Sequence, residues 1–452
     1  MTTVTTRAVA VDAASGRRIT AGPALVAIGA GALLVLGLWW KDTVFVSGAG
    51  DWLTNAGRIV GLECGYGIVV LLALMARAPA LEHGVGTDRL ARWHAMGGRY
   101  VVSLAVAHTL LIIWGYALTA HRSLTGETLD LNTQYPDVLM ATVAVGLLVG
   151  VGITSARAAR RRLAYETWHF IHLYTYLAIA LAFSHQFATG ADFVDRRARV
   201  LWSALYIVVG LLLIRYRIVA PIRSALRHDL RIARIQAESH DTFSVYITGR
   251  DVDRLRAQPG QFFRWRFLTR DLWWVASPYS LSAPASRDTL RITVRPAGRH
   301  SAALARLAPG TRVLAEGPYG GLTAARRRRR EVLLIAGGVG ITPLRALFET
   351  LPGGPGTVTL LYRAGHELDL VLRHELDDIA ARRGATVHYL IGPRDGPGGD
   401  PLSSRNLAHR LGDIRGRDVY LCGPPGMTIT ARTALRQLHV PAVRIHDESF
   451  AF

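Results

Sequence analysis

Six long apolar runs occupy the first half of the chain. They cover approximately Pro23–Trp40, Ile59–Met75, Gly97–Thr119, Val138–Thr154, Tyr165–Phe187 and Val200–Ile218. Each approaches the ~20 residues that a helix needs to cross a hydrocarbon core of about 30 Å, so six membrane spans are predicted. From Leu230 the pattern changes. Short alternating runs such as Phe243–Ile247 and Leu290–Val294 are punctuated by Pro259-Gly260, Pro296-Ala297-Gly298 and Gly317-Pro318-Tyr319-Gly320. That rhythm predicts a small antiparallel β-barrel. A third pattern follows, in which Glu331–Ala336 and Thr357–Tyr362 are continuous apolar strands separated by a helical stretch. Continuous apolar strands alternating with helices predict a parallel α/β sheet of the Rossmann-like kind. The expected order is therefore a polar segment (1–20), a membrane all-α six-helix bundle (21–220), an antiparallel barrel (228–325) and an α/β domain (330–452).

Charge refines this picture. The 452 residues carry a formal charge of +20, yet half of them are hydrophobic. Much of the basic excess sits beside the apolar runs: Arg7, Arg17 and Arg18; Arg77, Arg89 and Arg92; Arg157 and Arg160–Arg162; Arg215, Arg217, Arg223 and Arg227. Cytoplasmic loops collect such cations, so both termini and the second half are placed in the cytoplasm. Only the fifth loop, with Arg196, Arg197 and Arg199, departs from the rule. No nucleic-acid motif accompanies the charge, and binding to nucleic acid is not expected. The run Arg326–Arg330 reads as a solvated turn. Two cysteines, Cys64 and Cys422, make neither a disulfide framework nor an iron–sulfur site. Nothing in the sequence sets the oligomeric state.

Four histidines supply the first candidate chemistry. His94 and His108 lie fourteen residues apart in the third run, and His172 and His185 lie thirteen apart in the fifth. An imidazole in hydrocarbon is costly and marks function by default. A single one would read as an interior hydrogen-bonding residue. Two matched pairs read as ligands of two stacked b-type haems, whose upper and lower ligands would stand roughly 20 Å apart at 1.5 Å per residue. Fourteen residues return to nearly the same helix face; thirteen do not. The fifth span would then need a kink, a π-bulge or rotated haem planes. His169 competes with His172 for the inner position. Arg58 and Arg99, in or beside spans, could neutralise haem propionates or simply reach for the interface.

The second half carries motifs that act as a set. Pro259-Gly260-Gln261-Phe262, Ser277-Pro278-Tyr279-Ser280-Leu281-Ser282 and Gly298-Arg299-His300-Ser301 fall in this order within the barrel. They resemble the flavin-binding domain of the ferredoxin–NADP reductase superfamily. The resemblance implies that Tyr279 packs on the isoalloxazine of FAD, that Ser280 hydrogen-bonds near flavin N5, and that Ser282 belongs to the same motif. It also implies that the turn of Gly298, His300 and Ser301 receives the diphosphate. Where the superfamily often has an arginine, this chain has Ser277; Arg295 or Arg299 could replace it. Next comes the strand-then-glycine turn Gly337-Gly338-Val339-Gly340-Ile341-Thr342-Pro343, where small residues and a helix N-terminus suit a pyrophosphate. With the later Cys422-Gly423-Pro424, this resembles the nicotinamide-nucleotide half of the same superfamily. Cys422 and Gly423 would lie beside the nicotinamide, Cys422 positional rather than nucleophilic. Arg363 could meet a 2′-phosphate, favouring NADPH over NADH. A terminal aromatic, Phe450 or Phe452, would cover the flavin until nicotinamide displaces it.

Taken whole, the chain resembles the ferric reductase / NADPH oxidase family of transmembrane flavocytochromes. The resemblance implies a wire from cytosolic NAD(P)H to FAD, to an inner haem at His94 and His172, to an outer haem at His108 and His185. The acceptor outside would be ferric iron, oxygen or a redox partner. Eukaryotic oxidases of the family have a histidine one turn after the outer ligand, where this chain has Ile112. Arg58 resembles a basic residue that they place near the outer haem. A membrane-anchored cytosolic flavin reductase without haem is the alternative. Membrane lipid surrounds the spans in either case.

Overall fold

The computed structural model describes residues 19–42, 46–160, 162–163, 165–393 and 399–448. The chain divides into two compact units, Met1–Ile218 and Val219–Phe452.

The first unit is helical: α1 (Ala21–Asp42), α2 (Ala49–Leu74), α3 (Pro79–Val85), α4 (Thr87–Ala120), α5 (Leu124–Gln134), α6 (Val138–Ser155), α7 (Arg157–Arg160), α8 (Tyr165–Thr189) and α9 (Arg196–Leu213). A π-helical segment, Ile214–Val219, follows α9. Helices α2 and α4 begin about ten residues before the predicted apolar runs, because hydrogen bonding continues through polar turns that hydropathy does not register. Among the described residues, five helices are long and apolar enough to cross a membrane: Ala21–Lys41 in α1, Ala49–Leu74 (α2), Arg89–Ala120 in α4, Val138–Ser155 (α6) and Arg196–His228, which starts with α9. The fifth predicted span is α8, a helix of 25 residues. It falls outside that set because Trp168, His169, His172, His185 and Gln186 lower its hydropathy. It contains no π-bulge; the π segment follows α9 instead.

Helices α2 and α4 approach closely because glycine lines their contact. A Cβ on Gly50 would come within 2.4 Å of Thr119 Oγ1, one on Gly57 within 2.8 Å of Ile112 Cδ1, and one on Gly61 within 2.6 Å of His108 Nδ1. In a membrane, where lipid is as apolar as leucine, small residues at a helix crossing supply the packing. Two caps set helix starts: Ser123 Oγ accepts from Gly126 N–H before α5, and Asp195 accepts from Arg197 N–H before α9.

The second unit begins with α10 (Ala220–His228) and two three-stranded antiparallel sheets. Their strands are β1 (Arg231–Ala237), β2 (Phe243–Thr248), β3 (Phe262–Phe267), β4 (Ser277–Ser280), β5 (Thr289–Val294) and β6 (Val313–Tyr319), with α11 (Arg299–Ala303) between the last two. The sheet orders are β1-β2-β5 and β4-β3-β6. Single bridges at Arg231–Arg312 and Leu281–Ile292 join them where a closed barrel ladder was expected. Val245, Ile247, Phe263, Trp265, Leu281 and Ile292 share one core between them.

The remainder is β7 (Val332–Gly337), α12 (Ile341–Thr350), β8 (Val358–Ala364), α13 (Arg373–Arg383), β9 (Thr386–Ile391), α14 (Ser404–Leu411), β10 (Asp418–Cys422), α15 (Pro425–Gln437) and β11 (Ile445–Glu448). The strands form one parallel sheet, order β11-β10-β7-β8-β9. Alternate residues of β7 face two cores: Leu334 and Ala336 lie with α12 and α13, Leu333 and Ile335 with α14 and α15. The arginine run is more than a solvated turn. Buried Asp418 accepts the N–H groups of Arg328 and Arg329, both at 2.5 Å, and the Arg327 side chain donates to the carbonyls of Arg329, Arg330 and Pro352.

Candidate functional site

In the helical unit the four histidines meet in two pairs. The rings of His94 and His172 lie 5.9 Å apart between centroids, and those of His108 and His185 lie 6.3 Å apart. The ring planes cross at 73° and 58°. His172 also stacks on Trp168 at 5.2 Å, while His169 lies 6.5 Å from Trp168. His172 is thus the ring brought against His94. The Nδ1 atoms have partners of their own. His94 Nδ1 is 3.3 Å from Leu71 O, His108 Nδ1 2.8 Å from Gly57 O, and His185 Nδ1 3.0 Å from Thr189 Oγ1. His172 Nδ1 is buried with no hydrogen-bond partner. Leu71 and Gly57 are fourteen residues apart on α2, which separates the two levels by about 21 Å.

Arg58 lies close in sequence to the upper pair's anchor Gly57 and is held by Asp192 at 2.6 and 3.3 Å and by Asn55 at 3.1 Å. Asp192 is 3% exposed, so this carboxylate is paired rather than solvated. Arg99 is exposed on α4. Sequence reasoning missed Asp192 and Thr189. It also missed Gly57-x-x-x-Gly61-x-x-x-Gly65, a small-residue spacing that itself signals close helix contact.

In the second unit, β4 presents the Tyr279 motif. It pairs with β3 so that Tyr279 opposes Phe263 and Ser280 opposes Phe262. Trp265 Nε1 donates to Tyr279 O at 3.0 Å, and burial pushes the Tyr279 hydroxyl pKa up. Ser280 Oγ is buried without a hydrogen-bond partner. Ser282 is engaged: its hydroxyl accepts from Arg291 Nε at 3.1 Å and from Thr293 at 2.8 Å. Gly260 sits at φ +90°, and a Cβ there would meet Leu322 O at 1.8 Å, so only glycine fits this turn. At the other turn, Ser301 Oγ accepts the N–H groups of Ala297 and Gly298 at 2.9 and 3.1 Å. His300 meets Trp274 edge-on at 5.4 Å. Arg295 is bound to Asp241 at 2.6 Å and to Asp369 at 3.4 Å; Arg299 is exposed.

The glycine turn follows β7 at the carboxyl end of the parallel sheet, where open α/β sheets bind ligands. Gly338 has φ +53° with open space around its absent Cβ, whereas a Cβ on Gly340 would strike Cys422 O at 2.2 Å. A pocket here is lined by Gly337, Gly338, Arg363, Asp369, Pro424 and Met427, among others. Thr342 Oγ1 donates to Val339 O at 2.9 Å, and Pro343 is buried in the first turn of α12. Cys422 is fully buried, and burial pushes its thiol well above the usual range, which makes it a poor nucleophile. Gly423 lies over Met427. The Arg363 guanidinium donates to the carbonyls of Ala364, Leu390 and Gly392. Phe450 and Phe452 lie outside the described residues.

Comparison with known proteins matches both regions. Residues 63–183 match the ferric reductase like transmembrane component, and residues 334–433 the oxidoreductase NAD-binding domain. The ferredoxin reductase component of 3-ketosteroid-9-alpha-monooxygenase from Mycolicibacterium smegmatis is 32% identical over 235 residues, covering 49% of this chain and 65% of that protein. A flavohemoprotein from Pseudomonas aeruginosa is 32% identical over 229 residues, covering 49% of this chain and 58% of that protein. The chain thus spans less than two thirds of the length of these relatives. The flavohem-like FAD/NAD binding domain of nitric oxide dioxygenase from Vibrio cholerae aligns with 49% of this chain and 98% of its own, at 26% identity and a TM-score of 0.43. In domain composition the chain joins a region that matches the ferric reductase like transmembrane component to one that matches the oxidoreductase NAD-binding domain.

Proposed function

We propose that this chain is a six-span membrane flavocytochrome. It takes electrons from cytosolic NAD(P)H through FAD and two b-type haems to an acceptor on the outer side. The observation that carries this reading is the pair of histidine couples on α4 and α8. Two imidazoles that share one metal through bonds of about 2 Å hold their ring centres about 6 Å apart, close to the observed 5.9 and 6.3 Å. Engagement of Nδ1 by a carbonyl or hydroxyl at three of the four rings leaves Nε2 as the ligating atom, the usual outer-shell arrangement of metal-bound histidine. The donor set therefore fits haem, with His94 and His172 at the inner level and His108 and His185 at the outer. Haem held this way supplies one-electron transfer with no open iron position.

The reductase region fits its cofactors by the same test. The orphaned hydroxyl of Ser280 and the face of Tyr279 suit a flavin ring, and the turn of Gly298, His300 and Ser301 suits its diphosphate. FAD, when bound, accepts a hydride from NAD(P)H and releases electrons singly, which a two-electron donor and a one-electron wire require. Gly337, Gly338, Gly340, Thr342 and Pro343 form the nucleotide turn. Gly340 lets it approach Cys422, beside which the nicotinamide would lie with Gly423 and Pro424. Burial keeps Cys422 a neutral, non-reactive wall. Arg295 and Arg363 flank the pocket, and Phe450 or Phe452 would shield the flavin. Arg58, neutralised in part by Asp192, and Arg99 are offered to haem propionates. Arginine placement keeps both ends of the chain in the cytoplasm.

The test is an anaerobic optical spectrum of the purified full chain before and after NADPH, with haem and flavin quantified. Two haems and one flavin per chain, with haem reduced by NADPH, are expected. Flavin without a Soret band would make the chain a membrane-anchored flavin reductase and the histidines structural.

A further inference from the structure

A half-buried charge network ties the nucleotide-binding half of the second unit to the strand that carries Ser280. Its centre is Glu375, on α13. Arg291, on β5 and 6% exposed, grips both carboxylate oxygens: Nη1 to Oε1 at 2.6 Å and Nη2 to Oε2 at 2.8 Å. Arg345, on α12, places Nε 2.8 Å from Glu375 Oε2, out of line for a hydrogen bond, and its Nη1 2.5 Å from Glu349. The Arg291 guanidinium faces the other way too. Its Nε donates to Ser282 Oγ at 3.1 Å and its Nη2 to Ser282 O at 2.8 Å. Ser282 N–H in turn donates to Arg291 O at 2.9 Å. Thr293 and Ser244 complete the chain of hydroxyls behind it.

Each end of this network reaches a motif. Ser282 lies two residues after Ser280, the hydroxyl left without a partner. Arg345 lies in the helix that starts at the glycine turn, with Gly340 as its N-cap. A second tie runs parallel. Arg295 reaches Asp369, and the Tyr362 hydroxyl, which accepts Val371 N–H, lies 3.2 Å from Gly338 O and 3.4 Å from Asp369 O. The segment from Asp369 to Glu375 is therefore fastened to the flavin-motif strands on one side and to the glycine turn on the other. A guanidinium fork suits such a joint because its two parallel bonds fix angle as well as distance.

We propose that Glu375, clamped by Arg291, is a positioning residue: it sets how the nucleotide half presents its ligand to the Ser280 strand. The inference rests on the flavin and nucleotide reading above. Small errors in such an approach cost much rate, about a hundredfold for a displacement of about 1 Å, while leaving each binding surface intact.

The experiment uses the full chain and two variants, Glu375→Gln and Arg291→Lys, with Arg345→Gln in place of either that fails to fold. Hydrogen–deuterium exchange is read with and without NADP⁺. In the wild type, nucleotide slows exchange in both 337–345 and 277–282; in the variants the protection of 277–282 is lost and that of 337–345 stays. Anaerobic stopped-flow with NADPH then shows a limiting rate of flavin reduction lowered roughly tenfold or more, with the nucleotide Kd changed less than about threefold. Protection of 277–282 that survives in the variants, or a loss confined to Kd, overturns the proposal. A wild-type chain that holds no flavin overturns the functional reading instead, and the exchange arm still decides whether nucleotide binding reaches 277–282.

Discussion

The two units bury apolar surface in opposite senses. In the helical unit large side chains point outward: Leu33, Leu34 and Leu201 are each at least 70% exposed, and only Ala198, Trp202 and Val209 of the 18 residues of α9 are buried. The interior contacts are made by glycines, by polar groups such as His108, Asp192 and Gln186, and by small apolar clusters such as Leu62, Phe193 and Trp202. In the second unit every residue of β7 is buried, and arginines such as Arg291 and Arg363 are locked to a carboxylate or to main-chain carbonyls. The difference follows from the solvent. Lipid accepts leucine at no cost, so helices associate through close approach and hydrogen bonds; water rejects it, so strands associate through side-chain burial. A candidate site residue is therefore placed by small residues in one unit and by a packed sheet in the other.

The largest effect that would sharpen this contrast is expected at His108. His108→Ala should remove the outer haem, halving the Soret absorbance per flavin while NADPH still reduces the flavin; full haem content would break the comparison at its centre. Gly61→Leu tests placement by absence of a side chain. Its Cβ would already press on His108 Nδ1 at 2.6 Å, so overpacking of about 1–3 kcal/mol should lower both Tm and outer-haem occupancy. An unchanged spectrum would show that α2 does not position the ring.

In the second unit, Arg291→Met leaves Glu375 without its fork. Breaking a fully buried pair costs about 3–5 kcal/mol. The Glu375 side chain is 33% exposed, so a loss near 1–3 kcal/mol is expected after solvent screening, read as thermal stability of the full chain. The same pair predicts a pH dependence. Burial would raise the Glu375 pKa, but the bonds and charges of Arg291 and Arg345 outweigh it and hold the carboxyl below its ordinary value. A depressed carboxyl pKa contributes stability that is present above the ordinary glutamate range, about 4.3, and is lost as pH falls through the lower folded value. Stability of the second unit should fall below about pH 4 less steeply in Glu375→Gln than in the wild type; equal slopes would deny the clamp its electrostatic part. The smallest effect is expected at Arg363. Since its guanidinium holds three main-chain carbonyls, Arg363→Gln should raise KM for NADPH and NADH by similar factors of a few. A rise confined to NADPH would assign it to a 2′-phosphate.

Several elements were legible before any coordinates. The apolar runs mark α1, α6 and α8 to within a few residues, since hydropathy and helix coincide there. The alternation of Phe243–Ile247 and Leu290–Val294 marks β2 and β5, and the glycine turn stands where β7 predicts it. Helix ends were less legible: Ala49–Ile59 and Thr87–Gly97 are helical but polar or mixed, so periodicity of burial does not show them. Helix α5 was missed for the same reason. The span count was read from length, and α8 reveals the tension: the histidines that make it a candidate site are what lower its hydropathy.

Residue types and spacings by themselves determined that the chain has a lipid-facing half and a water-facing half, that four histidines recur in two helices, and that glycines stand at turns where a side chain has no room. These are local properties, set by side-chain transfer energies and backbone sterics. Only the tertiary structure decided which histidine meets which, that His172 rather than His169 faces His94, that Asp192 neutralises Arg58, and that Arg291, itself bound to Ser282, reaches Glu375 across 84 positions of sequence. Each of these is a contact between segments far apart in the chain. Its energy depends on a distance that no single segment encodes.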